Sequence, residues 1–208
     1  MKVLVTGAAG GIGGAVVKKF IESGDEVYGI ARNTGALPVG CLPLYADLQS
    51  PTDLDGIVRC FSTGVDVVVH AAGILRTDGD PLQEQRRINF VVPVTLTQRL
   101  PAHNVIFLNS VAALIENPRP ALQRYALSKL RLRRFAKSYA NRLDVRVASI
   151  YLGRVATPML RKLYEVENRN YDVGKLSPED VAEAVRYLAD LPPHIQIPEL
   201  HLLARETA

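Results

Sequence analysis

Tyr125 and Lys129 stand four residues apart in Tyr125-Ala126-Leu127-Ser128-Lys129. On a helix, positions i and i+4 share a face, so the ammonium would lie beside the phenol. Tyrosine is a poor acid or base near neutrality, with an ordinary pKa of about 10. A neighbouring cation stabilises tyrosinate and brings the group closer to working range. Such a pair suits proton transfer at an oxygen that gains negative charge, as a carbonyl oxygen does when its carbon receives a hydride. Taken singly, Tyr125 could be a core tyrosine with its hydroxyl at the surface, and Lys129 a solvated helix charge.

A second constellation stands near the start. Thr6-Gly7-Ala8-Ala9-Gly10-Gly11-Ile12-Gly13 follows the apolar run Val3-Leu4-Val5 and opens a stretch in which Val16, Val17, Phe20 and Ile21 recur at helical spacing until Gly24. Strand, glycine turn, helix is the context a dinucleotide phosphate needs. Small residues let backbone N–H groups close on a pyrophosphate, and the helix N-terminus adds favourable potential. A bland tight turn is the alternative. On the dinucleotide reading, the tip of the second strand lies near the adenine ribose. That tip reads Ile30-Ala31-Arg32-Asn33 and carries no carboxylate. Arg32 is suited to a 2′-phosphate, which favours NADP(H) over NAD(H) unless Arg32 is merely a surface charge.

The elements that must position these groups alternate. Strands are predicted at Val3–Val5, Glu26–Ala31, Leu42–Ala46, Val65–His70, Val105–Leu108, Val145–Ile150 and Leu200–Leu203. Helices are predicted at Gly13–Ser23, Pro51–Cys60, Pro81–Gln98, Arg124–Arg142 and Pro178–Leu191. Ser177-Pro178-Glu179-Asp180 begins the last one with a cap, a first-position proline and two acids at the positive end of the dipole. Apolar strands without polar alternation, separated by helices, predict a doubly wound, Rossmann-like α/β fold with a parallel sheet covered on both faces. Between Arg32 and Leu42 only nine residues remain, two Gly and a Pro among them, so no crossover helix is expected there. One domain spanning 1–208 is expected.

Hydrophobic residues make up 48% and charged residues 22%, an ordinary globular balance. The apolar run after Met1-Lys2 is too short for a signal peptide or a membrane span, and Cys41 and Cys60 lack metal or redox-motif spacing. Both point to a cytoplasmic chain with reduced thiols and no membrane partner. The net charge of +4 suits a phosphate-bearing ligand. Arg131, Arg133, Arg134 and Lys137 crowd one segment, either a solvated helix face or a docking site for an acidic partner. No aromatics interleave them, so no nucleic-acid partner is expected. His103, His194 and His201 are scattered and suggest no metal. His70 reads as structural, bonding backbone or adjoining loops, rather than catalytic.

The spacing Gly7, Gly11, Gly13 resembles the short-chain dehydrogenase/reductase family, and the likeness runs down almost the whole chain. The family's Asn-Asn-Ala-Gly appears as His70-Ala71-Ala72-Gly73, and its Tyr-x-x-x-Lys as Tyr125 to Lys129. Its catalytic serine falls on Ser110 and its helical asparagine on Asn89. The resemblance implies an oxidoreductase acting on a small carbonyl or alcohol with NADP(H). Tyr125 would be the acid/base, Ser110 would bond the substrate oxygen, Lys129 would bind the nicotinamide ribose, and Asn89 would hold a water in a proton relay. Ser110 could instead cap or turn, and Asn89 could bond backbone. Cofactor contacts implied are Gly7, Gly10, Gly11, Ile12, Gly13, Arg32, Asp47, Leu48, Ala71, Ala72, Gly73, Lys129, Val155 and Thr157. Asp47 has a second reading, as cap of the helix beginning near Pro51.

The stretch Pro158 to Leu176 would form a substrate lid, and its charges argue against a large apolar pocket. Leu152 stands where the family has proline. Pro93 falls inside the helix from Asn89 and Pro101 ends it early. With arginines on the partner helix, the family's usual tetramer is doubtful, and a monomer or a different dimer is the expectation. Two other functions remain open: a non-catalytic dinucleotide sensor, disfavoured by the Ser110, Tyr125 and Lys129 set, and a nucleotide-sugar epimerase or dehydratase, for which the chain is short.

Overall fold

The computed structural model describes residues 1–75, 82–171 and 174–205. Seven strands, β1 (Lys2–Thr6), β2 (Glu26–Ala31), β3 (Leu42–Tyr45), β4 (Val65–His70), β5 (Ala102–Ser110), β6 (Arg146–Leu152) and β7 (Glu199–Leu202), pair in parallel in the order β3-β2-β1-β4-β5-β6-β7. The doubly wound sheet read from the sequence is therefore present. Alternate residues of β1 serve opposite faces. Val3 and Val5 pack with Val16, Val17 and Phe20 of α1 (Gly11–Glu22) and Val181, Val185 and Leu188 of α7 (Pro178–Asp190). Leu4 faces the other way, into a core with Leu54 and Ile57 of α2 (Pro51–Cys60). Burial on both faces is why the strands show no polar alternation.

The link from β2 to β3 carries only a 3₁₀ turn at Thr34–Ala36. It covers the sheet itself. A Cβ on Gly29 would meet Cys41 Sγ at 2.6 Å and Leu37 Cδ2 at 3.0 Å, so the glycine lets the link lie flat where a helix would otherwise pack. Cys41 and Cys60 are both unbridged. The start of α7 is a reciprocal cap: Asp180 N donates to Ser177 Oγ at 3.0 Å, and Ser177 N donates to Asp180 Oδ2 at 2.7 Å.

One helix read from the sequence is built in three pieces. These are α3 (Leu82–Arg86), a π-turn at Arg87–Val91 and α4 (Val92–Arg99); Pro81, read as its start, lies outside the described residues. Pro93 does not interrupt the helix but follows the π-turn as the second residue of α4. Val92 N donates to Arg87 O, and Pro93 has no N–H. The carbonyls of Ile88 and Asn89 thus lose the donors a regular α-helix would supply. The basic stretch of α5 (Gln123–Tyr139) is largely the solvated face read from the sequence. Arg133 and the exposed Lys137 reach Glu199 of β7 at 3.1 and 3.8 Å, and Arg131 and Arg134 are exposed as well. Glu199 lies far off in sequence, so no local pattern pairs it with α5.

Candidate active site

The glycine turn leaves β1 and enters α1 with Gly10 as a cap that makes no side-chain bond. Gly7 has φ +66°, and a Cβ there would lie 2.7 Å from Ala72 Cα. A Cβ on Gly13 would lie 2.2 Å from Gly7 O. Both positions are closed to any side chain, which keeps the turn flat over the sheet ends. The first-turn N–H groups at Gly11, Ile12 and Gly13 have no intrahelical acceptor. This cradle fits the pyrophosphate of a dinucleotide. Thr6 Oγ1 accepts from Ala72 N at 3.1 Å and joins the turn to the Ala71–Gly73 segment. Gly11 approaches Thr157: its Cβ would be 3.4 Å from Thr157 Cγ2.

Arg32 stands exposed at the end of β2, with no ion pair to any described residue. Asp47 does not cap α2. Ser50 does, accepting from Asp53 N at 3.2 Å, because its hydroxyl sits one residue before Pro51 and reaches N3. Asp47 Oδ1 accepts from Gln49 N at 3.0 Å, holding the turn after β3. Leu48 is buried in the α2-side core. His70 ends β4 against Thr97, with Nε2 2.9 Å from Thr97 Oγ1, rather than bonding backbone in the turn.

Tyr125 and Lys129 share the inner face of α5, with Lys129 Nζ 5.8 Å from the Tyr125 ring centroid. Lys129 is buried, donates from Nζ to Leu108 O at 2.8 Å, and has its pKa pushed down to about 8 by burial. Burial also raises the Tyr125 phenol above its ordinary value, and the nearby Ser110 side chain only partly offsets it. The lowering expected from the lysine alone is therefore outweighed. Ser110 Oγ accepts from Ala112 N at 3.2 Å, capping the 3₁₀ turn Val111–Leu114, so it fills the cap role and lines the same cleft as the phenol. Asn89 bonds backbone: its Oδ1 accepts from Ile74 N and its Nδ2 donates to Ile74 O, both at 2.8 Å, with a further bond to Ser128 Oγ at 3.2 Å. A Cβ on Gly73 would lie 3.6 Å from Asn89 Oδ1 and 3.9 Å from Lys129 Nζ, so Gly73 adjoins both.

These groups border a cleft of about 550 Å³. Ile12, Ala71, Gly73, Val155 and Thr157 line it together with Ser110, Tyr125 and Lys129. Gly7, Gly10, Gly11, Gly13, Arg32, Asp47, Leu48, Ala72 and Asn89 do not. The lid contains α6 (Pro158–Val166), whose cap is Thr157 accepting from Leu160 N at 3.3 Å. The helix turns Met159, Leu160, Leu163 and Tyr164 into the cleft and leaves Arg161, Lys162 and Glu165 outside. The α6 face toward the cleft is therefore apolar, against the reading from lid charge, although Arg169 of the same stretch also lines the cleft. Ile115 and Arg119, in the connection from β5 to α5, also line it. Sequence reasoning passed over them, although a segment between Ser110 and Tyr125 must run over the strand ends.

The model of the short chain dehydrogenase family matches residues 1–168. Dehydrogenase/reductase SDR family member 11 of Bos taurus is 27% identical, with 98% of this chain and 95% of that protein covered. Farnesol dehydrogenase of Aedes aegypti is 29% identical, over 95% of this chain and 93% of that protein. Serine dehydrogenase complexed with NADP+ superposes with a TM-score of 0.84 at 22% identity, covering 97% of this chain and 94% of that one. The complex of 4-hydroxyisoleucine dehydrogenase with NADH does so with 0.80 at 22%, covering 98% and 96%. These structures share the fold, and between them they carry both nicotinamide cofactors. The chain thus belongs to the short-chain dehydrogenase family, as an NAD(P)-dependent oxidoreductase.

Proposed function

We propose that this chain is an NADP(H)-dependent oxidoreductase that reduces a carbonyl, with Tyr125 as the proton donor. The observation that carries the reading is that Tyr125, Ser110 and Lys129 line one cleft together with Ile12 of the glycine turn. NADPH supplies the hydride when bound. Residues 7–13 hold its pyrophosphate, Arg32 reads the 2′-phosphate at the β2 tip, and Val155 and Thr157 border the nicotinamide end.

The Ser110 hydroxyl and the Tyr125 phenol hold the substrate oxygen. Burial keeps the phenol protonated at neutral pH, which is the form a carbonyl reduction requires. As the oxygen gains charge, Tyr125 gives it the proton. Lys129, fixed on Leu108 O, binds the ribose and stabilises the tyrosinate left behind. The Asn89 carbonyl, deprived of a helical donor by Pro93, holds a water that returns a proton through Lys129. The Asn89 side chain braces the Gly73–Ile74 backbone.

Fluorescence titration with NADPH and NADH side by side tests the cofactor reading, with tight NADPH and weak NADH expected. Tyr125→Phe is expected to keep NADPH binding within about twofold and to lower turnover at least about a hundredfold, the range of general acid catalysis. Full turnover in that variant refutes Tyr125 as donor.

A further inference from the structure

Among the described residues, the cleft is lined by four cations, Arg119, Lys129, Arg154 and Arg169, and by no carboxylate. Lys129 belongs to the reacting end. The three arginines come from three separate places: the connection after β5, the end of β6, and the segment after α6. Arg119 and Arg169 sit at the rim, their side chains 49% and 40% exposed. A single oxygen serves both, since Arg119 Nη1 lies 2.8 Å and Arg169 Nη1 3.3 Å from Glu167 Oε2. Two guanidiniums on one carboxylate leave a net positive charge, and each fork keeps N–H donors to spare.

The lining also includes apolar side chains: Ile115, Leu122, Met159, Leu160 and Leu163. Ile115 and Met159 are 49% and 38% exposed, large apolar groups that a ligand would cover. A neutral apolar ligand would strip water from the arginines and return nothing. An oxyanion would pair with them through charge-assisted bonds, two to a guanidinium.

We propose that the substrate is an anionic amphiphile. It carries the reacting carbonyl or alcohol at one end, an apolar body of several carbons, and a carboxylate or equivalent oxyanion held by Arg119 and Arg169. This rests on Tyr125, Ser110 and Lys129 being the reacting end.

Calorimetric titration of the full chain, with and without saturating NADPH, tests it using octanoate, octyl phosphate and octanamide. One anion, octanoate or octyl phosphate, is expected to bind at least about tenfold more tightly than the amide, since one charge-assisted bond is worth that much. The tighter of the two identifies the head group as carboxylate or phosphate. The anion-to-amide ratio is expected to shrink toward one in Arg119→Gln and Arg169→Gln, a comparison made within each variant. Equal affinity for all three ligands, or none for any, overturns the proposal. Anion preference without NADPH binding would reject the oxidoreductase reading and keep the anion site. NADPH binding without anion preference would do the reverse.

Discussion

His70 offers a quantitative test of the interior. The residue is 4% exposed, its ring stacked on Phe107 at 5.0 Å and 12°, with Nε2 on Thr97 and Nδ1 buried without a partner among the described residues. Burial drives its pKa from 6.5 to about 3. Between those values the unfolded chain binds a proton that the native chain refuses, so stability falls as pH drops. At pH 4.5 the imidazole is charged in nearly every unfolded molecule and in few native ones. Two units below the unfolded pKa, at about 1.4 kcal/mol each, cost about 3 kcal/mol relative to pH 8. That is a visible share of the roughly 5–15 kcal/mol that holds a domain together. His70→Gln keeps a donor for Thr97 and cannot titrate. Urea unfolding of both proteins at pH 8 and pH 4.5 isolates the term, because every other titrating group is common to the two. A packing penalty in the variant is the same at both pH values and cancels. The native protein should lose about 3 kcal/mol more than the variant over this interval. Equal losses would refute a neutral buried His70, and with it the reading that keeps this histidine out of the proton chemistry.

The remaining predictions concern the cofactor half and the lysine. Gly13→Ala places a methyl about 2.2 Å from Gly7 O. The turn must open, and fluorescence titration should show NADPH binding weakened at least about tenfold; unchanged affinity would mean that the cradle does not hold the phosphates. Arg32→Asp should reverse cofactor preference, measured as the ratio of kcat/KM for NADPH to that for NADH, and an unmoved ratio would assign the 2′-phosphate elsewhere. With its pKa at about 8, Lys129 loses its charge as pH rises through that value, so kcat/KM for the cofactor should fall above about pH 8. Lys129→Arg keeps its charge and should flatten that limb, whatever its absolute rate; a limb that stays in place belongs to another group.

Much of this was legible in the sequence because it is local. The parallel sheet follows from apolar runs buried on both faces, and the cap of α7 from four consecutive residues, Ser177 to Asp180. The bare link from β2 to β3 is visible in its length and its glycines. What escaped depends on orientation or on distant partners. Charges in the lid were counted without the helical period, and the period puts Met159, Leu160 and Leu163 on one face and Arg161, Lys162 and Glu165 on the other. Arg133 looks like one more exposed cation until β7 brings Glu199 beside it. Asp47 and Ser50 compete for one cap, and only the backbone geometry at Pro51 decides for Ser50. Pro93 reads as a breaker unless the preceding turn widens to receive it, as Arg87–Val91 does.

The two ends of the cleft are made from different material. In the order β3-β2-β1-β4, connections from β1 and β4 leave in opposite directions, and the crevice opens between their carboxyl ends. On the β1 side the site is backbone, a turn kept free of side chains so that N–H groups can approach a ligand. On the β5 side it is side chains, each already tied down: Ser110 by Ala112 N, Lys129 by Leu108 O, the Ile74 backbone by Asn89. A side chain added on the first side strikes backbone, and affinity goes with the turn. A side chain removed on the second side leaves the turn intact but takes away a donor aimed in advance at a developing charge, which is felt in rate. Affinity for the dinucleotide and rate should therefore separate across the cleft, with Gly7 and Gly13 governing the first and Ser110 and Tyr125 the second. Lys129 stands apart, because the proposed role gives it both the ribose and the tyrosinate; its substitution should lower affinity and rate together.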